Sequence, residues 1–193
     1  IEEEEKNELV DNLDEAIARL EECFKDSSNK YYSREIDGNR EGFFNPFHSV
    51  QYMIFLYILA NTIYLKGSKT FICDKLYYLN KMLNGVDLFY QVSLPIHFGA
   101  EHPVGSVIGR AKIGDYFYFY QNVTLGGVII DGCEVYPQLG CHVEMCSNSS
   151  VLGDCIIGDN VIIGAGAIVK NQNIPDNSIV FGHSPNIIIK PNK

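Results

Sequence analysis

The chain has 193 residues, 46% hydrophobic and 12% aromatic, enough to bury a core in one or two domains and too apolar for a disordered chain. Its formal charge of −9, part of it gathered in the opening IEEEE, argues against nucleic acid or an anionic membrane as a general partner. The six cysteines (Cys23, Cys73, Cys133, Cys141, Cys146, Cys155) form no CxxC pair and no metal-ligand spacing, so the expectation is reduced structural thiols, no metal and a cytoplasmic setting.

The chain opens on Ile1 rather than Met, which suggests a processed or trimmed terminus, and no signal peptide is read there. Residues 1 to about 26 predict an amphipathic helix with Leu9, Leu13, Ala16, Ile17, Leu20 and Phe24 on one stripe. The polar stretch DSSNKYYSREIDGNREG that follows reads as a loop. A second helix is predicted from about Phe47 to Leu65, stopping at Lys66-Gly67, and a third from about Lys69 to Leu83, stopping at Asn84-Gly85. Both are aromatic-rich and nearly apolar all round. The run Met53–Leu65 is too short to span a bilayer and contains Asn61, so it reads as a buried helix. Residues 1–84 are therefore expected to form an α-helical domain.

From Val107 an aliphatic or aromatic residue recurs every sixth position: Val107, Ile113, Phe119, Leu125, then Leu139, Met145, Val151, Ile157, Ile163 and Val169. Four residues after many of these stands a second small or apolar residue: Ala111, Phe117, Val123, Val143, Ser149, Cys155, Val161 and Ala167. Glycine often follows the first position, as in Ile113-Gly114, Leu139-Gly140, Ile157-Gly158 and Ile163-Gly164. A period of six fits neither a helix nor a flat strand over this length. It fits a β-solenoid whose triangular coils each use three hexads, with the periodic residue pointing to the coil axis. Residues 85–193 are expected to form this solenoid, with a loop insertion near 127–138, where fourteen residues separate Leu125 from Leu139 and the pattern fails across GGVIIDGCEVYPQ. The stretch from Ile174 onward, with Pro175, Gly182, Pro185 and Pro191, reads as an irregular last coil and cap.

Several phrases go further than the repeat. Phe47-His48-Ser49-Val50-Gln51, Gly85-Val86-Asp87, His102-Pro103-Val104-Gly105-Ser106-Val107-Ile108-Gly109 and Gln121-Asn122-Val123-Thr124-Leu125-Gly126-Gly127 resemble the FHALQ, GVD, HxxGxVxG and QxVTLGG motifs of bacterial serine acetyltransferases. Ile174-Pro175-Asp176-Asn177-Ser178, Gly182-His183-Ser184-Pro185 and Lys190-Pro191 resemble that family's final coil and closing GKP. The resemblance covers roughly residues 47–193. It implies a left-handed parallel β-helix, acetyl-CoA as co-substrate, and an assembly of trimers, with a dimer of trimers through the apolar helices as the larger form. It assigns His102 as the general base that activates the acceptor hydroxyl for direct attack on the thioester, and Asp87 as the carboxylate that orients it. Such a base suits histidine near neutral pH, and its partner would fix the tautomer and stabilise the imidazolium. Glu101, adjacent in sequence, is the runner-up carboxylate, although neighbours on a strand point to opposite faces.

Gly126 and Gly127, Gly164-Ala165, Gly182 and Lys190 are the expected contacts of coenzyme A, the glycines by leaving backbone uncovered and the lysine by meeting a phosphate. His48, His97 and His142 are expected to be structural, and His183 divides evenly between a cofactor contact and a surface residue. The family's Arg-His-Pro triplet, which holds the serine carboxylate, is replaced by Val135-Tyr136-Pro137, and the Arg-Asp-Pro motif that grips the amino group is missing. The donor half of the site thus matches while the acceptor half differs, with Glu101 and Tyr136 as candidate acceptor contacts. A sugar or nucleotide-sugar hydroxyl in surface-polysaccharide synthesis competes with serine as acceptor, and Tyr116, Tyr118 and Tyr120 should face outward beside it. A non-catalytic scaffold and a zinc-dependent solenoid built on His97, His102 and His142 are the competing classes.

Overall fold

The computed structural model describes every residue except Asp26, Ser28 and Lys193, and Arg40 through its backbone alone. The chain divides into two units, residues 1–91 and 92–193.

In the first unit α1 runs Glu3–Lys25, α2 Ser49–Leu65 and α3 Ile72–Asn84. The apolar stripe of α1 is buried at Ala16, Leu20, Cys23 and Phe24, while Leu13 nearer its start stays 38% exposed. Glu5 is nonetheless buried, because Lys75 of α3 closes on its carboxylate at 2.7 Å. The α2 helix is apolar round its whole circumference and buried from Met53 to Ile63 apart from half-buried Phe55. Its polar interruptions are satisfied: Arg19 donates to Thr62 Oγ1 at 2.6 Å and to Asn61 Oδ1 at 2.8 Å, and Asn61 Nδ2 donates to Tyr90 O. The start of α2 is capped by His48, whose ring accepts from Gln51 N–H, and α3 stops at Gly85 in the left-handed conformation that favours glycine. Among the described residues no helix is long and apolar enough to cross a membrane.

The polar stretch after α1 is not simply a loop. It carries an antiparallel hairpin, β1 (Ser33–Ile36) and β2 (Asn39–Gly42), closed by Asp37-Gly38 at φ 50° and 79°. Two positive φ values at a two-residue Asp-Gly connection form the turn that matches strand twist, a signal the polar composition of the stretch concealed. The segment's Asp26 and Ser28 lie outside the described residues.

The second unit is a parallel β-solenoid. One face stacks Phe98–Ala100, Phe117–Phe119, Glu144–Met145, Val161–Ile163 and Ser178–Phe181 and is closed by antiparallel Ile188–Pro191. A second face contains Val107–Ile108, Thr124–Gly126, Ser150–Leu152 and Ile168–Lys170; a third contains Lys112–Ile113, Gln138–Leu139 and Ile156–Ile157. Leu139 lies against Ile157, Met145 against Ile163 and Val151 against Val169, eighteen residues apart in each pair, as three hexads per coil require. These residues and Phe119 and Leu125 are buried, as are Phe117, Val123, Val143, Ser149, Cys155, Val161 and Ala167. The third-face glycines exist because the next coil sits directly over them: a Cβ on Gly114 would lie 2.4 Å from the carbonyl carbon of Gly140.

The first coil departs from the expected register. Ile108, 1% exposed, pairs with Leu125, whereas Val107 is 41% exposed and pairs with Thr124. On that face the coil steps seventeen residues rather than eighteen, against nineteen from Phe98 to Phe117, and a slip of one residue exchanges the inward and outward faces of a strand. The interruption after Leu125 is a second hairpin, Val128–Ile130 with Cys133–Val135, turned by Asp131-Gly132 at φ 49° and 80°. At one corner His97, Tyr116 and His142 stack ring on ring, with centroids 4.8 and 4.5 Å apart and planes within 6°.

Candidate active site

His102 leaves the strand Phe98–Ala100 at a corner of the coil. Glu101 N–H still donates to Phe119 O at 3.0 Å, but His102 takes φ 51°, and its carbonyl accepts Val104 N–H at 2.7 Å. A left-handed non-glycine residue ahead of a proline is uncommon backbone, and such positions concentrate where a side chain must be aimed. The imidazole is 81% exposed. Strand alternation would send Glu101 and His102 to opposite sides. The turn at His102 ends the alternation, and Glu101 Oε1 comes within 3.8 Å of His102 Nε2. At that separation the pair is a close charge contact rather than a hydrogen bond.

Asp87 belongs to the first unit, in the segment that follows α3. Its Oδ1 accepts from Tyr77 Oη at 2.7 Å and its Oδ2 from Lys81 Nζ at 2.5 Å. Burial opposes its ionisation, but the hydrogen bonds from Lys81 and Tyr77 and the lysine charge outweigh it and hold the carboxyl below the usual range. The same contacts raise Lys81, and burial followed by the bond to Asp87 raises Tyr77.

The residues expected along the cofactor fall into two sets. Gly126 ends a strand with its Cα face open: a Cβ there would have Leu152 Cδ2, at 3.8 Å, as its nearest neighbour. Ala165, Gly182 and Lys190 are exposed, and Lys190 Nζ sits 5.6 Å from the centre of the Phe181 ring. Gly127 and Gly164 instead lack side chains where packing leaves no room. A Cβ on Gly127 would meet the Tyr136 ring at 2.6 Å, and one on Gly164, which is buried, would meet Val180 O at 2.6 Å. Tyr136 donates its hydroxyl to Glu134, two residues back on the same arm of the hairpin. His183 Nε2 lies 3.1 Å from Gly166 O.

Of the outward tyrosines, Tyr116 is 37% exposed and stacks between two histidines, while Tyr118 and Tyr120 are half-buried with ring centroids 5.5 Å apart. Tyr118 lies beside Glu144 in register, and Tyr120 Oη is pushed up to about 12 by burial first and then by Glu144 and other neighbours. Cys146 Sγ lies 3.8 Å from Glu144 Oε1. Glu144, Cys146, Tyr77 and Lys81 escaped sequence reasoning. The first two stand twenty-six residues beyond Tyr118 and Tyr120, one coil plus the hairpin, so only the length of that insertion reveals the pairing. His97 is structural, its Nδ1 2.8 Å from Asp115 Oδ2. Among the described residues no three His, Cys, Asp or Glu side chains are grouped to hold a metal.

Residues 136–171 match the family model "Bacterial transferase hexapeptide (six repeats)". The serine acetyltransferase of Synechococcus elongatus is 35% identical over 58% of this chain and 46% of its own length. The crystal structure of serine acetyltransferase isoform 3 from Entamoeba histolytica, in complex with cysteine, superposes with TM-score 0.60 at 32% identity over 75% of this chain and 51% of that one. The Neisseria gonorrhoeae serine acetyltransferase structure superposes with TM-score 0.70 at 25% identity over 92% of this chain and 66% of that one. The chain thus spans about half to two thirds of the length of these proteins. Repeat, alignment and superposition agree: the solenoid is a hexapeptide-repeat left-handed β-helix similar to that of serine acetyltransferases.

Proposed function

We propose that the chain is an acetyl-CoA-dependent O-acetyltransferase in which His102 is the general base. The observation that carries this reading is the exposed imidazole of His102, held on a left-handed corner in a phrase that resembles the HxxGxVxG motif of serine acetyltransferases. In the reaction His102 takes the proton of the acceptor hydroxyl as its oxygen attacks the thioester carbonyl carbon. The tetrahedral intermediate then collapses, the carbon–sulfur bond breaks, and the imidazolium returns the proton to the departing thiolate. Asp87 is the carboxylate that we assign to orient the imidazole; within the solenoid unit Glu101 lies beside it. Of the expected cofactor contacts, open Gly126 and exposed Ala165, Gly182 and Lys190 suit coenzyme A, whereas the packing of Gly127 and Gly164 gives those two a second reason to be glycine.

The acceptor is a small-molecule alcohol. A sugar or nucleotide-sugar hydroxyl is favoured over serine because Tyr136, bonded to Glu134, stands where a carboxylate-binding Arg-His pair would be, and Glu101 adds a negative charge beside the base. We further assign a trimer with the site shared between neighbours; exposed Val107, Ile129 and Ile156 offer apolar surface to such a contact. Among the described residues no disulfide joins the six cysteines, which suits a reducing compartment, and a cytoplasmic setting is proposed. The test is thiol release from acetyl-CoA against L-serine, related amino alcohols, and free and nucleotide-linked sugars. Turnover with a sugar and not with L-serine is expected. Turnover with L-serine alone would overturn the acceptor assignment, and no release with any acceptor would overturn the activity.

A further inference from the structure

Between the first and second faces of the solenoid, Phe119 to Leu125, Met145 to Val151 and Ile163 to Val169 are each a step of six residues from one buried position to the next. Ala100 to Ile108, buried likewise and in register with Phe119 and Leu125, is a step of eight. The corner that carries His102 is therefore two residues longer than the others, and it folds through turns of its own. Val104 N–H donates to His102 O at 2.7 Å across Pro103. Ser106 N–H donates to Pro103 O at 3.1 Å, with Gly105 at φ 79° where a type II turn requires a positive value.

One hydroxyl fastens this corner to the next coil. In the two regular corners that follow, a backbone N–H closes on the carbonyl three residues back: Ser149 on Cys146 at 3.2 Å and Ala167 on Gly164 at 2.9 Å. The matching pair in the coil beside His102 is Val123 and Tyr120. There Ser106 Oγ stands between the two, donating to Tyr120 O at 2.6 Å and accepting Val123 N–H at 3.0 Å. Ser106 is 1% exposed, and a buried hydroxyl with both donor and acceptor engaged holds its place, because moving it leaves polar groups unpaired.

We propose that Ser106 is a positioning residue: its hydroxyl, inserted into the neighbouring corner, fixes the longer corner from which His102 projects. The inference rests on the reading of His102 as the general base. With the imidazole 81% exposed, its direction follows the backbone that bears it. That backbone is tied at Ser106 by the hydroxyl and at Val104, whose carbonyl accepts Asn122 N–H at 3.0 Å. Without the hydroxyl, Val123 N–H is free to close on Tyr120 O as in the regular corners, so the coil keeps its fold while the His102 corner loses its anchor.

The test is acetyl-transfer kinetics of the full chain with the best acceptor of the panel, alongside coenzyme A binding by calorimetry and circular dichroism. Ser106→Ala should lower kcat by about tenfold to a hundredfold, with coenzyme A affinity within about threefold and the parent's spectrum. Ser106→Thr, which keeps the hydroxyl, should stay within about threefold of the parent's kcat. In a His102→Ala background, Ser106→Ala should cost less than about twofold, because no imidazole is left to place. Suppose His102→Ala is strongly impaired. A Ser106→Ala kcat within about twofold of the parent's, an equal loss in both backgrounds, or a folded Ser106→Thr as slow as Ser106→Ala would then overturn the role of Ser106 and leave the base reading standing. Near-parental activity in His102→Ala would overturn the base reading, and this proposal with it. Should the added methyl of Ser106→Thr unfold the chain, Ser106→Ala in the two backgrounds decides.

Discussion

At Asp115 a single carboxylate joins two elements of the solenoid. Its Oδ1 accepts the backbone N–H of His97 and its Oδ2 lies 2.8 Å from the ring of the same residue, which in turn stacks on Tyr116. Burial opposes ionisation, but the bonds from His97 outweigh it and hold Asp115 below the usual carboxylate range. A lowered folded value means that the ionised form favours the folded state. The contribution is therefore present above the unfolded pKa of about 4 and fades as pH falls through the folded value. Asp115→Asn should lower stability near pH 6 and flatten its dependence on pH below about 4, as read by urea midpoints across that window. A variant whose midpoint falls with acid as steeply as the parent's would contradict the role of this carboxylate. The Asp115 contact is invisible in the sequence because His97 lies ahead of Val107, where the periodic residues begin.

The elements were unevenly legible, for reasons that differ. Helices α2 and α3 and their stops at Gly67 and Gly85 follow from apolar content and glycine, and the coil core follows from the period of six because each inward residue rests on the one three hexads away. The hairpin at Ser33–Gly42 was hidden because its strands are polar, and its only strong signal is Asp37-Gly38. At Val107 the periodic rule chose the wrong neighbour because it cannot register a face whose step is short by one residue. The second hairpin tests how independent a loop can be of the coil that bears it. Its strands pair only with each other, and excising Val128–Val135 leaves a step of six residues from Leu125 to Leu139, the spacing of an uninterrupted coil. The shortened chain should fold with its circular-dichroism spectrum unchanged and a melting temperature within about 5 °C of the parent, while losing the Glu134–Tyr136 pair and with it selectivity among acceptors. Loss of the folded state on excision would show that the hairpin is part of the solenoid core.

On the scale of the whole molecule, the helical unit presents an oriented carboxylate at its end and the solenoid presents an exposed imidazole at a strained corner. The candidate site was legible as motifs, because His102 and the Thr124–Gly127 phrase are read by residue type. The bonds of Tyr77 and Lys81 to Asp87 were not, because only the fold closes the turn that joins them. The solenoid also explains why several glycines tie to architecture first: at Gly114 and Gly164 the neighbouring coil occupies the space a side chain would need. Whether His102 is the base for acetyl transfer is decided by comparing kcat/KM for acetyl-CoA, with the best acceptor of the panel, in the parent and His102→Ala, alongside coenzyme A binding by calorimetry. The expected result is a loss of roughly 10²–10⁴-fold in rate with coenzyme A affinity within about threefold of the parent. A variant that keeps more than about a tenth of the activity, or that loses coenzyme A binding, would remove His102 from that role.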